Sequence, residues 1–255
     1  MFSPEKEKAF GDQYSATLEQ RVELLADQPI TTFVDRVARH IAQNSDAQIP
    51  ITVSIIRSNA VHAVTLPGGH LYLTTGLLLR LRSEGELAGM SARGIAHVGF
   101  DSAAREQTRA SLMQLANVTV QAYAQPGSMT GSGLPMVGML DWERADELSA
   151  DFFGIQYVYK AGYDADCFIS AIQNVWKPDP SKPALASLSP FPPLADRMKA
   201  LQKEIDEILR RRADAVVSTP EFDEFMQRLQ SIAPVTEPQP DTGPKLIRQD
   251  QAAND

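Results

Sequence analysis

The stretch SEGELAGMSARGIAHVGFD, residues 83–101, decides how the whole chain is read. Ser83-Glu84-Gly85-Glu86 has the S-x-x-E form of a capping box, in which the serine hydroxyl and the later carboxylate satisfy the first free amides of a helix. The frame that follows is apolar and helical, and the sequence predicts that it runs on to about Tyr123. His97 stands near the end of the quoted stretch, with Arg93 four residues before it and Gly94 next. Positions four apart share one helical face, so Arg93 and His97 project together. Gly89, Gly94 and Gly99 lie in the same helix, and each costs about 1 kcal/mol relative to alanine. Close packing of a neighbouring segment and drift at a position under no demand are both readings of Gly94.

Outward from this helix the pattern changes. On the N-terminal side ITVSIIR, residues 51–57, is β-branched and partly alternating, which predicts a strand. HAVTL and HLYL predict two short strands about the turn Pro67-Gly68-Gly69. A helix is expected from near Thr75, carrying Leu77, Leu78 and Leu81. Before the strands, Ser3-Pro4-Glu5 reads as a helix start, with the helix running to about Leu25. A second helix capped by Thr31 or Thr32 would carry Phe33, Val34, Val37, Ala38 and Ile41.

On the C-terminal side residues 125–139 are rich in Gly, Ser, Pro and Met and read as a loop, either a lid or a connector. A helix over 142–161 would end at Gly162, and Asp164 would cap the next one, to about Trp176. An amphipathic helix follows residues 177–193. Its Leu201, Ile205, Ile208 and Leu209 form a core stripe, and Arg210-Arg211-Arg212 near its end match the helix dipole. Thr219-Pro220-Glu221 opens a last helix. From about residue 233 the chain is polar and proline-rich, which predicts disorder. The sum is one α+β domain over 1–232, mostly helical with one small sheet, and a tail over 233–255.

Composition narrows the function classes. The chain has 255 residues, 43% hydrophobic and 22% charged, with net charge −8. That balance disfavours nucleic acid, which usually needs a basic face. No apolar run reaches the ~18 residues needed to span a bilayer. Cys167 is the only cysteine, so no intramolecular disulfide is expected, and the four histidines are few for a metalloenzyme. The start MFSPEKEKAF has neither a basic nor an apolar leader region. Read literally it predicts a cytoplasmic chain; with a leader removed, a periplasmic or secreted one.

Several motifs in one order resemble the zinc metallopeptidases of the HtpX and CAAX-prenyl-protease type. NAVHAVTLPGGHLYLTTGLL matches that family's strand, Leu-Pro-Gly-Gly turn, strand and Gly-Leu-Leu frame. ELAGMSARGIAHV matches the frame E-L-A-x-x-x-A-H-E-x-x-H-V. Glu147-Leu148-Ser149-Ala150-Asp151 matches E-x-x-A-D, with Arg144 as the accompanying arginine. Gly162-Tyr163-Asp164 matches the family turn, and FPPLADR a late His-Pro-x-x-x-x-Arg segment. The resemblance runs from about Ser3 to about Leu201. It implies a mostly helical metallopeptidase-like fold of the gluzincin (zincin) class.

What the resemblance implies for the site depends on the departures. Such a site takes two histidines and a glutamate as zinc ligands, with an open fourth position for water. Here the first histidine is Arg93 and the general-base glutamate is Gly94. His97 and Glu147 are the remnant ligands, with Asp151 behind them. A histidine often found after the helix is Asp101, and the late histidine is Phe191. An arginine cannot give a lone pair to zinc at any relevant pH. Losing the base removes roughly 10²–10⁴-fold of rate by itself.

The leading expectation is therefore a catalytically degenerate peptidase-family protein without a cofactor. Its cleft would bind a peptide or unfolded segment at Gly68, Gly69, His70 and Leu71, the turn and the start of the strand it leads into. The alternatives are an active zinc endopeptidase with a rebuilt ligand set, such as His97, Glu147 and Asp101 or His70, and a structural or accessory domain. Two specific contacts and one exposure are expected. Arg93 should pair with Glu147, Asp151 should accept from His97, and His70 should be an exposed strand histidine.

Overall fold

The computed structural model describes residues 4–99, 137–176 and 192–232. Eight α-helices and three strands can be named in them. In chain order these are α1 (Pro4–Glu19), α2 (Gln28–Gln43), β1 (Thr52–Ile56), β2 (Ala63–Leu66), β3 (His70–Thr74) and α3 (Thr75–Leu78). They continue with α4 (Glu84–Gly99), α5 (Val137–Lys160), α6 (Asp166–Val175), α7 (Leu194–Glu204) and α8 (Pro220–Ile232). This is the expected α+β arrangement, largely helical with one small sheet.

The sheet has the order β1-β3-β2. β2 and β3 form the expected hairpin, antiparallel, with Ala63 opposite Leu73 and Leu66 opposite His70. The turn between them needs left-handed backbone at two positions, φ 80° at Gly68 and 90° at Gly69, which glycine adopts without a Cβ clash. β1 runs parallel to β3, with Thr52 opposite His70. β3 is thus the middle strand, and both of its hydrogen-bonding edges are taken. The strand expected to offer an edge to a peptide does not have one. The pairing of a parallel neighbour from residues 52–56 is a long-range event that local pattern does not encode.

Side chains alternate across β3. Leu71 and Leu73 join the main core with α2 and α4, while Tyr72 joins a second cluster with Leu18, Ile56 and Leu66. The Tyr72 hydroxyl is held there by Ser15 and Glu19 of α1, at 2.7 and 2.8 Å. α1 is shorter than its sequence suggests and stops at Glu19. The residues after it turn extended and pair with the sheet instead: the Leu25 amide donates to the Ile55 carbonyl and the Arg57 amide to Glu23, both at 2.8 Å. α2 starts earlier than expected because Asp27, not a threonine, caps it, accepting from the Ile30 amide at 3.3 Å. Its buried face is the predicted one.

α4 occupies the centre of the helical layer, against α2, α5 and α6. Glycines let it come close. A Cβ on Gly89 would stand 3.2 Å from the Phe168 Cα, and one on Gly154 of α5 would stand 3.3 Å from the Arg93 Cα. The capping box forms in part: the Ser83 hydroxyl accepts from the Glu86 amide at 3.2 Å, while the Glu86 carboxylate takes the Arg82 amide at 2.7 Å. α5 begins at Val137, so residues 137–139 are helix rather than loop. It ends as predicted, with Gly162 at φ 87° and the Tyr163 amide bonded back to Val158. The Asp164 carboxylate then accepts from the Asp166 amide at 2.9 Å and opens α6.

After α7 the chain widens into a π turn over Ile205–Leu209. Leu201, Ile205 and Leu209 are buried along one i+4 row, but Ile208 is 62% exposed, so it falls off the expected stripe. The arginines after it do more than match their own helix. Arg211 pairs with Asp166 at 2.7 Å, and Arg212 donates to the Tyr159 carbonyl at the end of α5 at 3.0 Å. None of the described helices is long and apolar enough to cross a membrane. The expected extension of α4 to Tyr123, most of loop 125–139 and the tail lie outside the described residues.

Candidate active-site cleft

α4 and α5 each present two functional side chains at i and i+4 on one face, Arg93 with His97 and Glu147 with Asp151. The helices cross where Gly154 meets the Arg93 backbone, and that contact brings the four groups together. Arg93 is 6% exposed and Asp151 2%, so charge here has left water. An isolated buried charge is too costly to persist, and these are paired. The Arg93 Nη2 faces the Glu147 Oε2 as an ion pair. Its Nε donates to the Asp151 Oδ1 at 3.2 Å. The expected Arg93–Glu147 contact is present.

The second expected contact is replaced. Asp151 does not serve His97; it is gripped from α7 by Arg197, whose Nε and Nη2 donate to Oδ2 at 2.6 Å and to Oδ1 at 2.8 Å. Such a two-point fork is the strongest geometry a guanidinium offers a carboxylate. Arg197 is 1% exposed. Both guanidinium carbons also lie over the Trp176 ring, at 4.7 Å for Arg93 and 5.0 Å for Arg197. Trp176 and Arg197 were not expected at the site. Arg197 had a signal, as the last residue of FPPLADR; Trp176 had none, because it follows α6 and its position depends on how that helix packs.

His97 Nε2 stands 3.7 Å from Glu147 Oε1, beyond hydrogen-bond range. Burial, with the nearby positive charges of Arg93 and Arg197, pushes its pKa down to about 3, so the ring is neutral at neutral pH. Burial also lowers Arg93, to about 10, which leaves it a cation there. Two cations face two carboxylates beside a neutral imidazole, so this set carries no net charge. Among the described residues no three His, Cys, Asp or Glu side chains converge as a metal site. One oxygen of Glu147 is occupied by a guanidinium, and a dication would enter a set already balanced. Of the candidate ligands His97, Glu147, Asp101 and His70, the described residues bring together His97 and Glu147.

The Gly94 position is crowded from the sheet side. A Cβ there would stand 2.6 Å from the Leu71 Cδ1 and 3.2 Å from the Thr65 hydroxyl oxygen. That hydroxyl donates to the Gly94 carbonyl at 3.3 Å. Close packing is thus a present reason for glycine at this place. Leu71, Gly68 and Gly69 are buried in the sheet and its turn rather than lining an open edge. His70 is half-buried, not exposed: its Nε2 meets Asp12 at 2.9 Å and its Nδ1 meets Thr52 at 3.1 Å. Both nitrogens are committed away from His97. Asp101, Phe191 and the Arg144 side chain lie outside the described residues.

Comparison with known proteins gives the family. The pattern of Peptidase family M48 matches residues 26–205. The chain is 30% identical over 206 residues to a Vibrio cholerae protein described as a candidate beta-barrel assembly-enhancing protease, covering 74% of this chain and 42% of that one. It is 22% identical over 185 residues to the beta-barrel assembly-enhancing protease of Escherichia coli K12, covering 67% and 37%. It is 24% identical over 191 residues to the mitochondrial metalloendopeptidase OMA1 of Schizosaccharomyces pombe, covering 72% and 56%. The chain therefore spans about half or less of the length of these relatives. The family match extends over more than half of the chain, from before α2 into the π turn after α7, and includes every residue of the α4–α5 charge cluster: the chain belongs to peptidase family M48.

Proposed function

We propose that this chain is a non-proteolytic member of family M48, in which a buried ion-pair cluster stands where relatives of the HtpX and CAAX-prenyl-protease type hold zinc. The observation that carries the reading is the Arg93 guanidinium, set between Glu147 and Asp151 at the position of the first metal-binding histidine. Arg93 offers no lone pair, and Gly94 offers no base. The remnant ligands His97 and Glu147 are two where a catalytic site needs three. His70, a candidate replacement, is held by Asp12 and Thr52.

The residual role is protein or peptide binding. The relatives are named as proteases, whose substrates are polypeptides. In this chain β2 is an outer strand of the sheet and touches α4 through Thr65 and Gly94. Strand addition along β2 would lay an extended segment beside the cleft. This moves the binding edge from β3, where the sequence placed it.

Metal analysis of the purified chain tests the reading. The expected result is zinc well below one per chain, with casein and unstructured peptides left uncleaved and no effect of a chelator. Stoichiometric zinc together with chelator-sensitive cleavage would return the chain to the proteolytic members of the family. Binding of labelled unfolded peptides, lost when Ala63, whose amide faces away from β3, is replaced by proline, tests the residual role.

A further inference from the structure

The cluster holds more order than a lost metal site requires. Two guanidiniums share Asp151 Oδ1, from Arg93 at 3.2 Å and Arg197 at 2.8 Å, and both lie over one indole. Like charges this close in a buried setting repel unless the surroundings are matched to them. Here they are matched by shape as well as by charge. Arg93 uses Nε for one carboxylate and Nη2 for another, while its plane rests on an aromatic ring. An ammonium has no fixed fork and no planar face, so it cannot make the same set of contacts. A divalent ion would over-neutralise two carboxylates that Arg197 already half balances.

We propose that Glu147, Asp151 and Trp176 form a seat selective for a planar guanidinium cation, and that Arg93 filling it joins α4 to α5 as a metal ion otherwise would. This rests on the reading of the chain as metal-free. Trp176 is a positioning residue: it holds the plane of the cation and brings the end of α6 into the same joint. α4, α5 and α6 then meet at the Arg93 cation, and α7 joins them through Arg197 on the shared Asp151, instead of at a metal centre.

The seat can be emptied and refilled. Arg93→Ala removes the resident cation, and thermal unfolding should drop by about 10 °C, since one side of a buried pair is lost. Low millimolar guanidinium chloride should restore part of that loss in the variant and none in the parent. Sodium chloride and urea at the same concentrations should restore nothing. In a Trp142→Phe background the remaining indole is Trp176, and its fluorescence should respond to guanidinium only in the emptied variant. Arg93→Lys keeps the charge but not the fork, so it should lose most of what Arg93→Ala loses.

If Arg93→Ala does not fold, Arg93→Lys with and without Trp176→Leu gives the same information. With a planar seat, losing the indole should harm the arginine parent more than the lysine variant. Wild-type stability in Arg93→Lys, or equal rescue by sodium, would overturn the seat while leaving the metal-free reading in place. Zinc in the parent chain would overturn that reading and the seat with it.

Discussion

The two ends of α4 solve one problem in opposite ways. At its N-terminal end Glu84 is buried, 3% exposed, and is met by neutral donors: the Tyr163 hydroxyl at 2.7 Å on one oxygen and the Thr219 hydroxyl on the other. Glu86 beside it takes the Arg82 amide and the Asn174 amide at 2.7 and 2.9 Å. At the C-terminal end Glu147 and Asp151 are met by guanidiniums. The first end is scaffold, in which a carboxylate gathers donors from the α5–α6 turn and the start of α8. The second sets two carboxylates against two guanidiniums. The difference teaches that a buried acid can be balanced by neutral donors or by cations, and the kind of partner tells the two ends apart.

Substitutions can break or sharpen that contrast. The largest effect is expected from Asp151→Asn. It leaves Arg197 and Arg93 without one of the two carboxylates that balance them, and breaking a buried pair from one side costs about 3–5 kcal/mol. Urea unfolding reads it directly, and an unchanged midpoint would show that the charges are solvated rather than paired. At the other end Tyr163→Phe removes one neutral donor from Glu84. The expected loss is about 2 kcal/mol, smaller because Thr219 still serves the carboxylate. A loss equal to that of Asp151→Asn would erase the distinction between the two ends. The smallest effect belongs to Gly94→Ala. Alanine gains about 1 kcal/mol in a helix, and moving the end of the Leu71 side chain costs a similar amount. Thermal unfolding should change little, and a large drop would mean that Leu71 is fixed where it stands.

Much of this was legible before any coordinates. The i,i+4 spacing of Arg93 with His97, and of Glu147 with Asp151, follows from helix geometry alone. Complementary charge then made the Arg93–Glu147 pair an expectation that the fold meets. The expected His97–Asp151 contact failed because a stronger donor was available. Arg197 reaches Asp151 from a helix more than forty residues on, and a two-point charged fork outweighs a neutral imidazole donor. The edge-strand reading of His70 and Leu71 failed for a related reason: β3 inserts between β2 and β1, and the earlier strand takes its second edge.

By itself the sequence determined the order of the elements, the hairpin turn at Gly68 and Gly69, the glycine end of α5, and the presence of a guanidinium at position 93 and of no side chain at 94. These rest on local forces: periodicity, backbone freedom, and the fact that a guanidinium has no lone pair to give. Only the tertiary structure decided which strand is central, that Leu71 crowds the Gly94 position, and that Arg197 and Trp176 complete the charge cluster. Those outcomes depend on which distant segments reach a buried carboxylate or a strand edge first, and with what strength. No pattern of neighbours along the chain carries that information.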